Sequence, residues 1–279
     1  MLAIALGLGS SLCWGLADFF GGLQSRRRPL LAVLLVSQVA ALVLLLPLAA
    51  AAGGEMPSGA GVAWAALAGT AGTIALAAFY RGLAIGTMSV VAPVSATAAV
   101  VPVLVGLAEG ERPGALQVAG MALAFAGIVL ASREPSPDGK PASRAGIGLA
   151  LVAALGFGTF FVGIDRAAED AGVLWVIAVS RTCGLAVIAA AVLARRPALP
   201  REGRVWGALL AIGVLDLGAN ALYAYATTKG LLSIVAVLGS LYPAVTVVLA
   251  RVVLSERVTR PQEAGVLATL AGVVAISAG

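Results

Sequence analysis

Histidine is absent from this chain, and cysteine occurs only twice, at Cys13 and Cys183. Without histidine, the commonest metal ligand and general base is missing. The two cysteines lie far apart inside apolar runs, so neither a metal cluster nor a disulfide framework is expected, and each reads as a small buried hydrophobe. Charge is equally scarce. Only 11% of residues are charged, against about 25% in a soluble domain, too few to coat a water-facing surface. No P-loop and no Gly-x-Gly-x-x-Gly after a strand is present, so no nucleotide-binding loop is expected. No catalytic constellation and no cofactor site emerges either. Period-2 alternation is also missing, which excludes the strands of a lipid-facing barrel.

Apolar residues fill the space left by these absences, at 61% of the chain. A run of ~20 apolar residues crosses ~30 Å of hydrocarbon as a helix, and lipid offers the backbone no other solution here. Breaks at QSRRRP (24–29), GGEMPSGA (53–60), after YRG (80–82), EGERPG (109–114), 133–146, DRAAEDAG (165–172), ARRPALPREGR (194–204), TTKG (227–230) and SERVTRP (255–261) separate ten such runs. Their expected limits are 2–23, 30–52, 61–83, 87–108, 113–132, 145–164, 173–194, 204–226, 230–254 and 260–278. The first run lacks a basic leader and carries Asp18, so a retained helix is expected over a cleaved signal peptide.

The longest break, 133–146, divides five runs from five, and residues 95–132 align without gaps onto 240–277. Identical pairs include Ser95/Ser240, Glu111/Glu256, Arg112/Arg257, Gln117/Gln262, Gly120/Gly265, Gly127/Gly272 and Ser132/Ser277, with Tyr80/Tyr225 at the same spacing upstream. The chain therefore reads as two copies, 1–139 and 140–279. Five is odd, so tandem copies must insert with opposite orientation. The basic loops swap accordingly. Copy one is basic after its first helix; copy two is basic after its second.

The net charge of +5 thus reads as an orientation signal, with no nucleic acid as partner. With both termini outside, Arg26–Arg28, Arg81, Arg133, Lys140, Arg144, Arg195, Arg196, Arg201, Arg204, Arg257 and Arg260 face the cytoplasm. Only Arg112, Arg166 and Lys229 then face out. A multi-pass protein of the plasma (inner) membrane is expected, in contact with lipid.

The segments SVVAPVSATAAVVPVLVGLAEGERP and VAVLGSLYPAVTVVLARVVLSERVT resemble the fourth and ninth helices of the drug/metabolite transporter superfamily, EamA-like branch. The opening CWGLADFFGG is similar to that family's first helix. The resemblance covers nearly the whole chain and implies an all-α integral membrane fold of ten helices in two inverted five-helix repeats. It also implies a central cavity and transport of small metabolites, often amino acids or related compounds, commonly by export. Many members are described with both termini inside, where the charge pattern here places them outside. The basic motif of nucleotide-sugar relatives is not evident.

Against that apolar background, Asp216 in GVLDLGANALY demands a reason, because a carboxylate at the bilayer centre costs ~2.5–3.5 kcal/mol on insertion scales. Asn220 and Tyr223 follow on the same helical face. Asp216 either pairs with Arg181, near the centre of the seventh run, and only fixes packing, or lines a cavity and binds an amine, a proton, or both. Arg181 either holds a substrate carboxylate or neutralises Asp216. Asp18 either faces the cavity or reaches the cations of QSRRRP, and Trp14 one turn earlier either packs or contacts substrate. Tyr80 and Tyr225 are read first as interfacial anchors, with Tyr80 also a cavity candidate because that family's third helix lines the cavity. Pro93, Pro102 and Pro243 should kink or open their helices, which makes Ser95, Ser240 and Tyr242 candidate contacts. Gly120/Gly127 and Gly265/Gly272 read as close-packing faces, Glu111 and Glu256 as organisers of turns, and Arg251 and Lys229 as snorkelling ends. The partners expected are a small-molecule substrate and, as coupling ion, protons. A non-transporting scaffold would need no kinked polar centre.

Overall fold

The computed structural model describes residues 1–25, 28–85, 91, 94–131, 144–169, 171–199, 202–245, 248–249 and 260–278. Pro93, Arg251 and Glu256, singled out above, lie outside these described residues. Among the described residues every regular element is helical. The first three are α1 (Leu2–Ser25), α2 (Leu30–Ala52) and α3 (Ala60–Ile85). A 3₁₀ turn (Thr97–Ala99) leads into α4 (Val100–Ala108), and α5 (Ala115–Ala131) completes the first repeat. The second repeat comprises α6 (Arg144–Ala167), α7 (Val173–Arg195), α8 (Gly203–Thr227), α9 (Leu232–Gly239) and α10 (Arg260–Ala278).

Six helices, α1 to α3 and α6 to α8, are long and apolar enough to cross a membrane, with mean hydropathy from 1.5 to 2.6. The remaining apolar helices are shorter, among them Val94–Ala108 and Leu232–Val245. Proline explains part of the shortening. A proline removes an amide donor and crowds the carbonyl four residues back. The 3₁₀ turn at Thr97–Ala99 covers the residue four before Pro102, and α9 ends at Gly239, four before Pro243, before helix resumes at Tyr242.

The halves pack as a pseudo-symmetric pair. The α3–α6 pairing is mirrored by α8–α1, α3–α7 by α8–α2, and α4–α6 by α9–α1; α5 pairs with its own counterpart α10. The α5–α10 contact fixes the relative direction. Gly120 lies against Gly272 and Ile276, whereas Gly127 lies against Gly265 and Thr269. These helices therefore run antiparallel, and exchanging the repeats converts one contact into the other. That is the geometry oppositely inserted copies require. The close approach needs glycine, since a Cβ on Gly120 would stand 2.8 Å from the Gly272 carbonyl oxygen.

Nearer the N-terminus of each repeat the spacing shortens. Gln38 and Arg181, which touch, are 143 positions apart, and the same spacing relates Ser37 to Ser180 and Thr73 to Asp216. It pairs Tyr80 with Tyr223, both buried, whereas Tyr225 is 42% exposed.

Glu111 does more than shape its own turn. Its carboxylate accepts hydrogen bonds from the amides of Leu232 (2.6 Å) and Ser233 (3.1 Å), the otherwise orphaned donors at the start of α9. One repeat thus caps a helix of the other. At the same end Arg166 pairs with Glu109 and Glu169, and Lys229 stands exposed at the end of α8.

Three variants test this packing by thermal denaturation in detergent micelles. Gly127→Val should destabilise the fold by about 1–3 kcal/mol, the usual cost of overpacking. Gly218→Ala, where nothing stands within 4 Å of an added Cβ, should be neutral. Glu111→Ala should cost about 0.5–2 kcal/mol, as loss of a helix cap does.

Candidate functional site

A cavity of about 680 Å³, including its open side, lies between the repeats. Each helix that lines it contributes from near its middle. From the first repeat come Trp14 and Asp18 of α1, Gln38 of α2, and Gly69, Gly72, Thr73 and Leu76 of α3. From the second come Phe157, Phe160 and Phe161 of α6, Ser180 and Arg181 of α7, Asp216 and Asn220 of α8, and Tyr242 after α9. One side of the wall is aromatic and the other polar.

Small residues bring the polar side together. A Cβ on Gly69 would run into the carbonyl of Ser180, so α3 and α7 touch at the residue before Arg181. A Cβ on Gly213 would run into the carbonyl of Ser37, so α8 and α2 touch one turn before Asp216 and one residue before Gln38. These two approaches, equivalent under the repeat, set Gln38, Arg181 and Asp216 side by side.

Asp216 both pairs with Arg181 and lines the cavity. Arg181 Nη2 donates to Asp216 Oδ2 at 2.7 Å, and Arg181 Nη1 donates to Gln38 Oε1. Asn220 Nδ2 donates to the Asp216 carbonyl at 2.5 Å and to Asp216 Oδ1 at 3.3 Å. The pair is asymmetric in exposure: the Arg181 side chain is 6% exposed and that of Asp216 24%. Arg181 is sealed into the wall, while Asp216 still faces the cavity. The Arg181 Nε is buried without a hydrogen-bond partner.

Asp18 is held differently. Its Oδ1 accepts the Tyr80 hydroxyl at 3.0 Å, and among the described residues no cation pairs with it. It lines both the cavity and a smaller adjoining space of about 320 Å³, while Arg26 and Arg27 of the QSRRRP loop lie outside the described residues. Gln38, Leu76 and Asp216 are shared by the two, and Tyr80 lines the smaller one.

The remaining candidates lie behind the wall. Tyr223 shares the helical face of Asp216, but seven residues along α8 is about 10 Å of rise. At that depth its ring is fully buried, 4.7 Å from Phe161 and 5.7 Å from Trp14, and it is not among the lining residues. Ser95 is buried and hydrogen-bonds Tyr242, bracing that ring from behind. Ser240 is buried and stands off the cavity. Gln38, Thr73 and the α6 phenylalanines were not anticipated. A lone glutamine within LLAVLLVSQVAALVL was a readable signal; phenylalanines in an apolar helix give none.

The buried pair should behave as one unit. Asp216→Leu leaves Arg181 buried and uncompensated and should cost about 3–5 kcal/mol, whereas Asp216→Leu with Arg181→Leu should recover most of it. The four corners of this cycle can be compared by denaturation midpoint in detergent. Equal losses in the single and double variants would show that the pair does not act together.

Comparison with known proteins bears on what this cavity serves. One solved structure, titled "Crystal structure of protein", matches with a TM-score of 0.78 at 17% sequence identity, covering 98% of this chain and 95% of that one. It shows the fold alone. No curated protein matches. The family model of the EamA-like transporter family matches residues 1–133 and again 144–278, one match per repeat. This chain belongs to the EamA-like transporter family.

Proposed function

We propose that the chain is a secondary transporter that moves small metabolites, amino acids or related compounds, out across the plasma (inner) membrane. Ten membrane-crossing segments, in two oppositely inserted repeats, would alternate access to the cavity between them. The observation that carries this reading is the cavity itself. It is walled by both repeats, and on one side it is polar where a chain of this hydropathy has every reason to be apolar. The residues of α1 to α3 and α6 to α8 that line it come from within those helices and not from their ends, as a midplane binding site requires.

The charge distribution supports an orientation with both termini outside. Of the few basic residues on the outer side, Arg166 is neutralised by Glu109 and Glu169, which leaves the cytoplasmic side the basic one. Energy must come from an ion gradient, and protons are the proposed coupling ion, because the cavity holds two carboxylates, Asp18 and Asp216, able to exchange a proton for a cationic cargo. A second reading, export of organic cations, is favoured by one observation. Arg181 already pairs its charge with Asp216 and donates to Gln38, so it offers an acid no uncompensated cation.

Uptake into proteoliposomes from a panel of amino acids, amines and sugars, with and without a pH gradient, tests the proposal. Selective flux is expected, enhanced by the gradient, and Asp216→Asn should remain folded yet lose at least tenfold of it. No flux and no binding would favour a scaffold. Chemical conversion of a panel compound would favour an enzyme. Flux by the variant equal to wild type at every pH would remove Asp216 from the mechanism.

A further inference from the structure

The two carboxylates of the cavity are not equivalent. Asp216 has both oxygens engaged, one by Arg181 and one by Asn220. Asp18 accepts one hydrogen bond from a neutral hydroxyl, and among the described residues its second oxygen has no partner. With Arg181 balancing Asp216, Asp18 is the cavity carboxylate that has no cation beside it among the described residues. Its surroundings suit a cation. Trp14 stands one turn away on the same face of α1, and Phe157, Phe160, Phe161 and Tyr242 continue the wall. An aromatic face attracts an ammonium through its quadrupole, most of all when the ring is that of tryptophan.

The same inventory is hostile to a carboxylate. The charge of Arg181 is already met by Asp216, and its Nε is buried. Asn220 spends its amide on Asp216. A cargo carboxylate would therefore face Asp18 and Asp216 with no free cation among the described lining residues, and like charges in one site repel.

We propose that Asp18 is the charge-recognition group of the cavity and that its cargo is an organic amine with one positive charge, an aromatic or bulky apolar body, and no carboxylate. This rests on the transporter reading and takes its second form, export of organic cations, in place of amino acids. Asp216 and Arg181 then form the fixed polar floor, and selectivity against the zwitterion of the same body comes from what Arg181 withholds.

The test uses three probes that share one body: phenethylamine, phenylalanine and 3-phenylpropionate. Calorimetric titration of the full chain in detergent should show phenethylamine binding at least tenfold tighter than either acid. Asp18→Asn, matched in shape, should weaken phenethylamine at least tenfold. An unchanged thermal midpoint of Asp18→Asn in the same detergent guards against a folding defect in that variant. Asp216→Asn frees Arg181 and should improve 3-phenylpropionate binding severalfold.

The assignment is overturned if Asp18→Asn binds phenethylamine as wild type does, if the acids bind as well as the amine, or if no probe binds. The transporter reading is separable. Amine binding that depends on Asp18 without any flux in proteoliposomes sinks transport and leaves the site standing. Flux of a panel compound that ignores Asp18 does the reverse.

Discussion

Arg181 and Asp216 sit near the middle of helices that otherwise offer hydrocarbon to their neighbours. Each alone would cost several kilocalories per mole at that depth. Together, 2.7 Å apart, they are tolerable only where both charges find further polar partners. Gln38 supplies one and Asn220 the other. The rest of the central architecture follows from bringing four such side chains, drawn from α2, α7 and α8, to one level. Glycine at 69 and 213 lets the backbones approach there. The aromatic residues of α1 and α6 close the opposite wall, and the space between remains a cavity rather than a packed core.

The two repeats share a backbone plan and differ in chemistry at matched positions. Gln38 stands where the second repeat has Arg181, and Thr73 stands where it has Asp216. Trp14 and Asp18 correspond at the same spacing to Phe157 and Phe161. Packing is therefore nearly symmetric, as the exchanged glycine contacts of α5 and α10 demonstrate, while the electrostatics are not. Asymmetric side chains give the cavity a definite charge. Glu111 ties the halves at one end, because its carboxylate in the first repeat ends the amide row of α9 in the second.

Much of this was legible in the chain itself, for identifiable reasons. The long apolar helices declared themselves because lipid punishes any charge or irregular backbone inside it. The duplication was visible in glycines and polar residues, which survive against an alanine-rich background. Asp216, Arg181, Asp18 and Trp14 stood out as costly or bulky residues at depth, and all four line the cavity. Tyr223 and Ser240 were placed by helical phase or proximity to a proline, and neither lines it. Phase says which way a side chain points and nothing about how far along the axis the cavity extends. Gln38 escaped notice because a neutral amide costs less than a charge and so signals less.

Composition, run length and loop charge alone determined the class of molecule, a multi-pass helical membrane protein built from two related halves. Those properties are local, and the solvent enforces them one segment at a time. Which polar groups meet was decided only by tertiary structure. The partnership of Arg181 with both Asp216 and Gln38, and the isolation of Asp18 from any cation among the described residues, depend on helices far apart in sequence approaching to contact distance. No single helix encodes that approach. It follows from where small residues on two helices coincide.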